Sequence, residues 1–238
     1  MRVMVIGGGG AIGKALVAQL TARDDIEEVV ATYHRSRPVS DTHDNGAAFW
    51  HPLDLRDGEA IASCLRSQPR LDWLINCSGL LHCPGHMPEK ALEQLDLNLF
   101  RLSMQLHCEA NLHLACHALR PMRASRAPRF VALSARIGSI ADNRLGGWYS
   151  YRCSKAALNM ALKNVAIEWQ RRLPRAAVAA YHPGTTDSAL SRPFQKNVAS
   201  DKLFSPEFAA ARLLACIERL TPELSGRFWG WDGNQIAW

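Results

Sequence analysis

Tyr151 and Lys155 stand four residues apart near the end of a stretch, residues 134–155, that reads S-A-R-I-G-S-I-A-D-N-R-L-G-G-W-Y-S-Y-R-C-S-K. On a helix that spacing sets a phenol and an ammonium on one face, within reach of each other. A neighbouring ammonium favours the phenolate and lowers a tyrosine pKa from its reference of about 10. A phenol tuned that way is a usable general acid or base. The spacing alone is weak, because a Tyr and a Lys one turn apart occur by chance on many solvated helices. Its weight depends on whether the chain builds a cofactor site around the pair.

The first elements point to such a site. Residues 3–6 form a short apolar run, suited to a buried parallel strand. They lead into Gly7-Gly8-Gly9-Gly10-Ala11-Ile12-Gly13, and residues 14–22 then show helical spacing. Gly8, Gly10 and Gly13 match G-x-G-x-x-G; Gly7, Ala11 and Gly13 match G-x-x-x-G-x-G with Ala at the middle glycine. Either way, small residues let the backbone turn tightly against a pyrophosphate, and the helix start offers free N–H groups. Residues 28–33 read as the second strand. An acidic residue about 20 positions past the glycines would hold a ribose 2′-hydroxyl. Here the chain reads Thr32-Tyr33-His34-Arg35-Ser36-Arg37, with no carboxylate. Arg35, helped by His34 or Arg37, suits a 2′-phosphate. The cofactor expected is therefore NADP(H) rather than NAD(H).

Residues 47–51 read as a third strand and 57–66 as a helix. Between them Asp54, followed by Leu55, is placed either to touch an adenine amino group or to cap that helix. A fourth strand, 71–75, runs into Asn76-Cys77-Ser78-Gly79, small residues where backbone would meet ligand. Residues 80–88 hold His82, Cys83 and His86 among two prolines and a glycine, which reads as a substrate-side loop rather than a metal site. Helical structure begins at residue 88, and one long helix is expected over 100–119, carrying Asn111. His113 and His117 share a helix face, but the Glu that a zinc protease needs after the first His is missing. Strands at 129–133, 176–181 and 226–230 and helices ending near 172 and over 205–220 complete the pattern. His182-Pro183-Gly184-Thr185-Thr186-Asp187-Ser188 forms a turn rich in hydroxyls. Strands alternate with helices, with no repeat and no linker. The expectation is one α/β domain over residues 1–238, a doubly wound parallel sheet of about seven strands.

Composition narrows the function classes. The 238 residues carry a net charge of +6, with an isoelectric point near 9.1. The basic residues are scattered, with no run of five, so anionic small ligands are favoured and nucleic acid is not expected. Seven cysteines without a C-x-x-C pair read as reduced thiols, and hence a cytoplasmic protein. The apolar stretch before the glycines is too short for a signal segment, and no run approaches the roughly 18 residues of a membrane span.

Taken together these pieces resemble the short-chain dehydrogenase/reductase family over essentially the whole chain. They occur in the family's order: Gly7 to Gly13, Asp54, Asn76-Cys77-Ser78-Gly79 for N-N-A-G, Asn111, the serine region, Tyr151-x-x-x-Lys155, and Pro183-Gly184. The stretch G-S-I-A-D-N…G-G-W-Y-S-Y-R-C-S-K-A-A-L-N is most similar to C-factor-like and sniffer-like carbonyl reductases. The resemblance implies that Tyr151 exchanges a proton with a carbonyl or alcohol oxygen while the nicotinamide exchanges hydride. Lys155 would lower the Tyr151 pKa and hold the nicotinamide ribose, and Asn111 would fix a water in the proton relay. Gly7, Gly10, Ile12, Gly13, His34, Arg35, Asp54, Leu55, Asn76, Ser78 and Gly79 would line the cofactor. Pro183, Gly184, Thr185 and Thr186 would meet its carboxamide, and Ser188 its pyrophosphate.

One departure stands out. Where the family has a second serine that polarises the substrate oxygen, this chain has Ala135. Ser134 and Ser139 could each substitute if the loop bends. Losing one such donor costs on the order of a hundredfold or more in rate. The leading reading is an NADP(H)-dependent oxidoreductase of a small carbonyl or alcohol substrate. The rival is a C-factor-like signalling or sensor protein that binds the cofactor with little turnover. Residues 80–88, 144–148 and 188–200 would form the substrate pocket. The two long helices could pair across a homodimer or homotetramer, but loops or side chains could block that.

Overall fold

The computed structural model describes residues 1–38 and 48–238. Seven parallel strands form one sheet in the order β3-β2-β1-β4-β5-β6-β9. They are β1 (Arg2–Ile6), β2 (Glu28–Tyr33), β3 (Ala48–Pro52), β4 (Trp73–Asn76), β5 (Arg129–Leu133), β6 (Ala177–His182) and β9 (Arg227–Gly230). β7 (Thr185–Thr186) and β8 (Leu203–Phe204) pair separately. The expected third strand starts one residue later, and Ala47 lies outside the described residues.

The strands are apolar on both faces because helices cover both. Met4 and Ile6 join one core cluster with Leu114, Leu158 and Leu162; Val3 and Val5 join the other with Leu16, Leu20, Leu213 and Ile217. The first face carries α2 (Gly58–Arg66), α4 (Ala110–Met122) and α5 (Tyr149–Arg172); the second carries α1 (Ala11–Thr21) and α6 (Pro206–Arg219). Each fully buried Leu, Ile or Phe contributes about 1.5–3 kcal/mol. Register is fixed on both sides of β1, where Val5 lies opposite Ala31 of β2 and Ile75 of β4. Strand order reverses at β1, so β1 and β4 flank the crevice where this architecture takes ligands.

The helix expected over 100–119 runs unbroken over 97–122, but not as a uniform α-helix. α3 (Leu97–Met104) runs into a wide turn with i→i+5 hydrogen bonding, Gln105–Glu109, before α4 continues. Nor is residue 88 the start of a helix. A single turn spans Leu92–Gln94, and the Asp96 side chain accepts the Asn98 N–H at 2.8 Å to start α3 afresh.

Candidate active site and cofactor cradle

The glycine turn joins β1 to α1. Gly7 has φ +73°, and a Cβ there would meet the Ser78 backbone nitrogen at 2.9 Å. A Cβ on Gly13 would collide with the Gly7 carbonyl. Helix α1 can therefore lie this close to β1 and β4 only with glycine at both positions. α1 starts after Gly10 with no side-chain cap and no acidic residue in its first turn. Its leading N–H groups and positive dipole end suit an anionic phosphate. Ile12 and Leu55 are half-buried, each packed on the edge of a core cluster.

His34 and Arg35 are exposed just past β2. Asp54 lies across from them, with His34 Nε2 at 3.6 Å from its carboxylate. Arg56 grips both Asp54 oxygens, at 3.0 and 2.6 Å, and its backbone N–H adds a bond at 2.9 Å. The Arg56 guanidinium thereby holds the Asp54 carboxyl well below the usual range. Asp54 does not cap α2. That role falls to Asp57, whose Oδ1 accepts the N–H groups of Glu59 and Ala60, both at 3.0 Å.

Beyond β4 a buried polar chain runs toward α4. Ser78 donates to Asn76 Oδ1 through its N–H (2.9 Å) and hydroxyl (2.6 Å). Asn76 Nδ2 donates to Asn111 Oδ1 at 3.0 Å, and Asn111 Nδ2 to the His107 carbonyl at 2.7 Å. His107 is buried in the wide turn. Its Nε2 accepts the Leu80 N–H at 2.9 Å, which leaves Nδ1 to donate to the Ser154 hydroxyl at 2.8 Å. Burial keeps this imidazole well below its usual pKa, and so neutral. The ring stands edge-on to Tyr151, centroids 5.6 Å apart.

Tyr151 and Lys155 do share a face of α5. Lys155 Nζ lies 5.6 Å from the Tyr151 ring centroid and donates to the Leu133 carbonyl at 2.8 Å. Gly79 completes the wall: a Cβ there would sit 3.8 Å from Nζ. The pKa shifts differ from the sequence expectation. Burial pushes the Tyr151 phenol up rather than down, and pulls the Lys155 ammonium down to about 7. Desolvation outweighs the attraction, and the ammonium spends its hydrogen bond on a β5 carbonyl.

At the serine end, both candidate hydroxyls have partners within the chain. Ser134 Oγ turns toward α5 and donates to Asn159 Oδ1 at 2.6 Å. Ser139 Oγ donates to the Ala237 carbonyl at 2.6 Å and accepts the Asp142 N–H. Both serines are buried, and these bonds brace the loop. Past β6, Gly184 (φ +76°) turns the chain beneath Phe204. The Thr186 Oγ1 is buried with no partner, while its carbonyl accepts Ser191 at 2.5 Å and Ser188 at 3.2 Å. Pro183 and Thr185 are half-buried beside it.

The family profile described as short chain dehydrogenase matches residues 1–199. The chain belongs to this family. Among curated relatives, 1-hydroxy-2-glutathionyl-2-methyl-3-butene dehydrogenase of Rhodococcus sp. (strain AD45) is 32% identical over 166 residues, 69% of this chain and 70% of the relative. The C-signal protein of Myxococcus xanthus is 30% identical over 171 residues, 71% of this chain and 93% of the relative. Among solved structures, the carbonyl reductase Sniffer of D. melanogaster superposes with TM-score 0.83 at 18% identity, covering 100% of this chain and 99% of that one. An NADPH-bound carbonyl reductase from chicken fatty liver gives 0.84 at 23% identity, covering 100% and 94%.

For a short-chain dehydrogenase the glycine cradle and the unpartnered Thr186 hydroxyl fit a dinucleotide. Sequence reasoning gave no role to His107, Ser154, Asn159 or Glu89; Ser154 and Asn159 lie inside the stretch quoted for the resemblance, while His107 and Glu89 stand in no motif. Among the described residues no cluster of three His, Cys, Asp or Glu could hold a metal. His82 Nε2 instead contacts the Ala189 and Leu190 carbonyls at 3.3 and 3.2 Å, and His86 pairs with Asp96 at 2.7 Å. No described helix is long and apolar enough to cross a membrane.

Proposed function

We propose that this short-chain dehydrogenase is an NADPH-dependent reductase of reactive carbonyl compounds, with Tyr151 as the proton donor. The observation that carries the reading is the pairing of a half-buried Tyr151 with a buried Lys155 at the carboxyl ends of the strands, beside a glycine cradle. When bound, the cofactor supplies hydride from its nicotinamide. Gly7 to Gly13 and the start of α1 receive the pyrophosphate, and Arg35 with His34 the 2′-phosphate. Asp54 reaches the adenine only from within its Arg56 pair. Asn76, Ser78 and Gly79 form the floor, and Thr186 offers its unpaired hydroxyl to the carboxamide.

Burial keeps Tyr151 protonated across the neutral range, which suits an acid in the reducing direction. Its O–H donates to the carbonyl oxygen as charge develops there. Lys155 supplies positive charge at the ring when protonated. Asn111 donates to the His107 carbonyl and accepts from Asn76, which ties the wide turn to that floor. Ala135 offers no second donor, so turnover favours carbonyls already activated by an electron-withdrawing neighbour. The two carbonyl-reductase neighbours and the dehydrogenase relative agree in reaction class. The test is carbonyl-dependent NADPH oxidation with and without Tyr151→Phe, alongside titrations of NADPH and NADH.

A second reading, a signalling protein with little turnover, draws on Ala135 and on the likeness to C-signal. It predicts NADPH binding without oxidation across a broad carbonyl panel; robust turnover excludes it.

A further inference from the structure

Glu89 is 2% exposed. It lies between β4 and α3, and no ion pair to it occurs among the described residues. Both its carboxylate partners belong to Ser150, the neighbour of Tyr151: the backbone N–H at 3.2 Å and the hydroxyl. Its own carbonyl accepts the Trp148 N–H at 2.5 Å. A buried carboxylate without a cation is costly. Here the first turn of α5 supplies both donors that its oxygens accept.

The same contacts hold an unfavourable backbone. The chain reaches α5 through Gly146, Gly147 and Trp148, with φ of 64°, 63° and 51°. Trp148 is the one non-glycine residue with positive φ among the described residues. A bulky side chain in that region persists only where its surroundings over-determine it. Arg152 Nε adds bonds to the Gly146 and Gly147 carbonyls at 3.0 and 3.1 Å. The result places the indole between two functional neighbours, with ring centroids 6.5 Å from Tyr151 and 4.8 Å from Phe194. Phe194 belongs to the segment between β7 and β8.

We propose that Glu89 is a positioning residue for the reaction. It latches the loop after β4 to the first turn of α5, fixes Trp148 in its left-handed conformation, and so sets Tyr151 and the indole wall of the carbonyl pocket. This rests on the reading of Tyr151 as proton donor. The experiment compares Glu89→Ala, Glu89→Gln, Trp148→Gly and Tyr151→Phe. Each is measured for kcat and KM toward one carbonyl, for NADPH affinity by fluorescence without carbonyl, and for Tm. Misplacing a reacting group costs on the order of ten- to a hundredfold, so Glu89→Ala should lower kcat by that factor with NADPH affinity unchanged. Glu89→Gln keeps an acceptor for Ser150 and should recover most of kcat. Trp148→Gly relieves the backbone and should hold or raise Tm while raising KM. Wild-type kcat and KM in Glu89→Ala, with Tyr151→Phe inactive, would overturn the latch and leave the proton donor standing. So would a Glu89→Ala variant that loses NADPH affinity and Tm together and is not rescued by Gln. Full activity in Tyr151→Phe would instead remove the reading beneath it.

Discussion

Tyr151 and Lys155 were legible as a motif, but their electrostatics were not, because desolvation is a property of the folded surroundings. The Lys155 pKa, brought down to about 7 by burial, makes a stability prediction for the cofactor-free protein. An unfolded lysine titrates near 10.4, so between about 7 and 10 the unfolded chain binds more protons than the native one. Stability attributable to Lys155 therefore rises with pH through that window. Lys155→Met should raise Tm most near pH 6, with the gain shrinking toward pH 10; a gain independent of pH would contradict the assignment. The serine end was legible only as a gap. Ser134 and Ser139 could be named, but their choice of Asn159 and Ala237 is made by tertiary packing. Restoring the donor with Ala135→Ser should raise kcat/KM on an unactivated ketone by on the order of a hundredfold, and much less on an activated one. Equal gains on both would argue against the missing donor as the limit. Arg35 is proposed for the 2′-phosphate because no carboxylate stands beside it in the sequence. Arg35→Ala should weaken NADPH binding by roughly tenfold, as expected for loss of a charge-assisted bond, while sparing NADH.

At the scale of elements, the seven strands of the main sheet were read within one or two residues, because buried parallel strands are short apolar runs between breakers, whereas the two-residue β7 and β8 were not. Helix starts were harder. Asp54 and Asp57 are both acidic and both precede α2, and only geometry shows Asp57 as the cap and Asp54 as the partner of Arg56. Asp57→Ala should cost about 1 kcal/mol, the usual worth of such a cap. In a chain of this size that lowers Tm by roughly 2–4 °C in a calorimetric scan. The wide turn at Gln105–Glu109 left no mark that hydrophobic spacing could detect, since its residues are ordinary helix formers. It carries His107, bonded to Leu80 and Ser154, and joins the buried chain of Asn111, Asn76 and Ser78 at the carboxyl end of β4.

For the whole molecule, alternation of strand and helix announced a doubly wound sheet, and the order β3-β2-β1-β4-β5-β6-β9 follows that logic. The reversal at β1 gathers the glycine turn, the Asn76 loop and the start of α5 at one crevice, from residues far apart in the chain. Two buried groups beside it, His107 bonded to Ser154 and Glu89 bonded to Ser150, were marked by no motif. The site so assembled is claimed to be a reductase whose proton comes from Tyr151. The most direct measurement is the rate of NADPH oxidation with an activated diketone, for the wild-type chain and for Tyr151→Phe, with NADPH affinity checked in both. General acid catalysis contributes about 10²–10⁴-fold, so the variant should bind NADPH normally and lose at least a hundredfold in kcat. A variant that oxidises NADPH as fast as the wild type would contradict it.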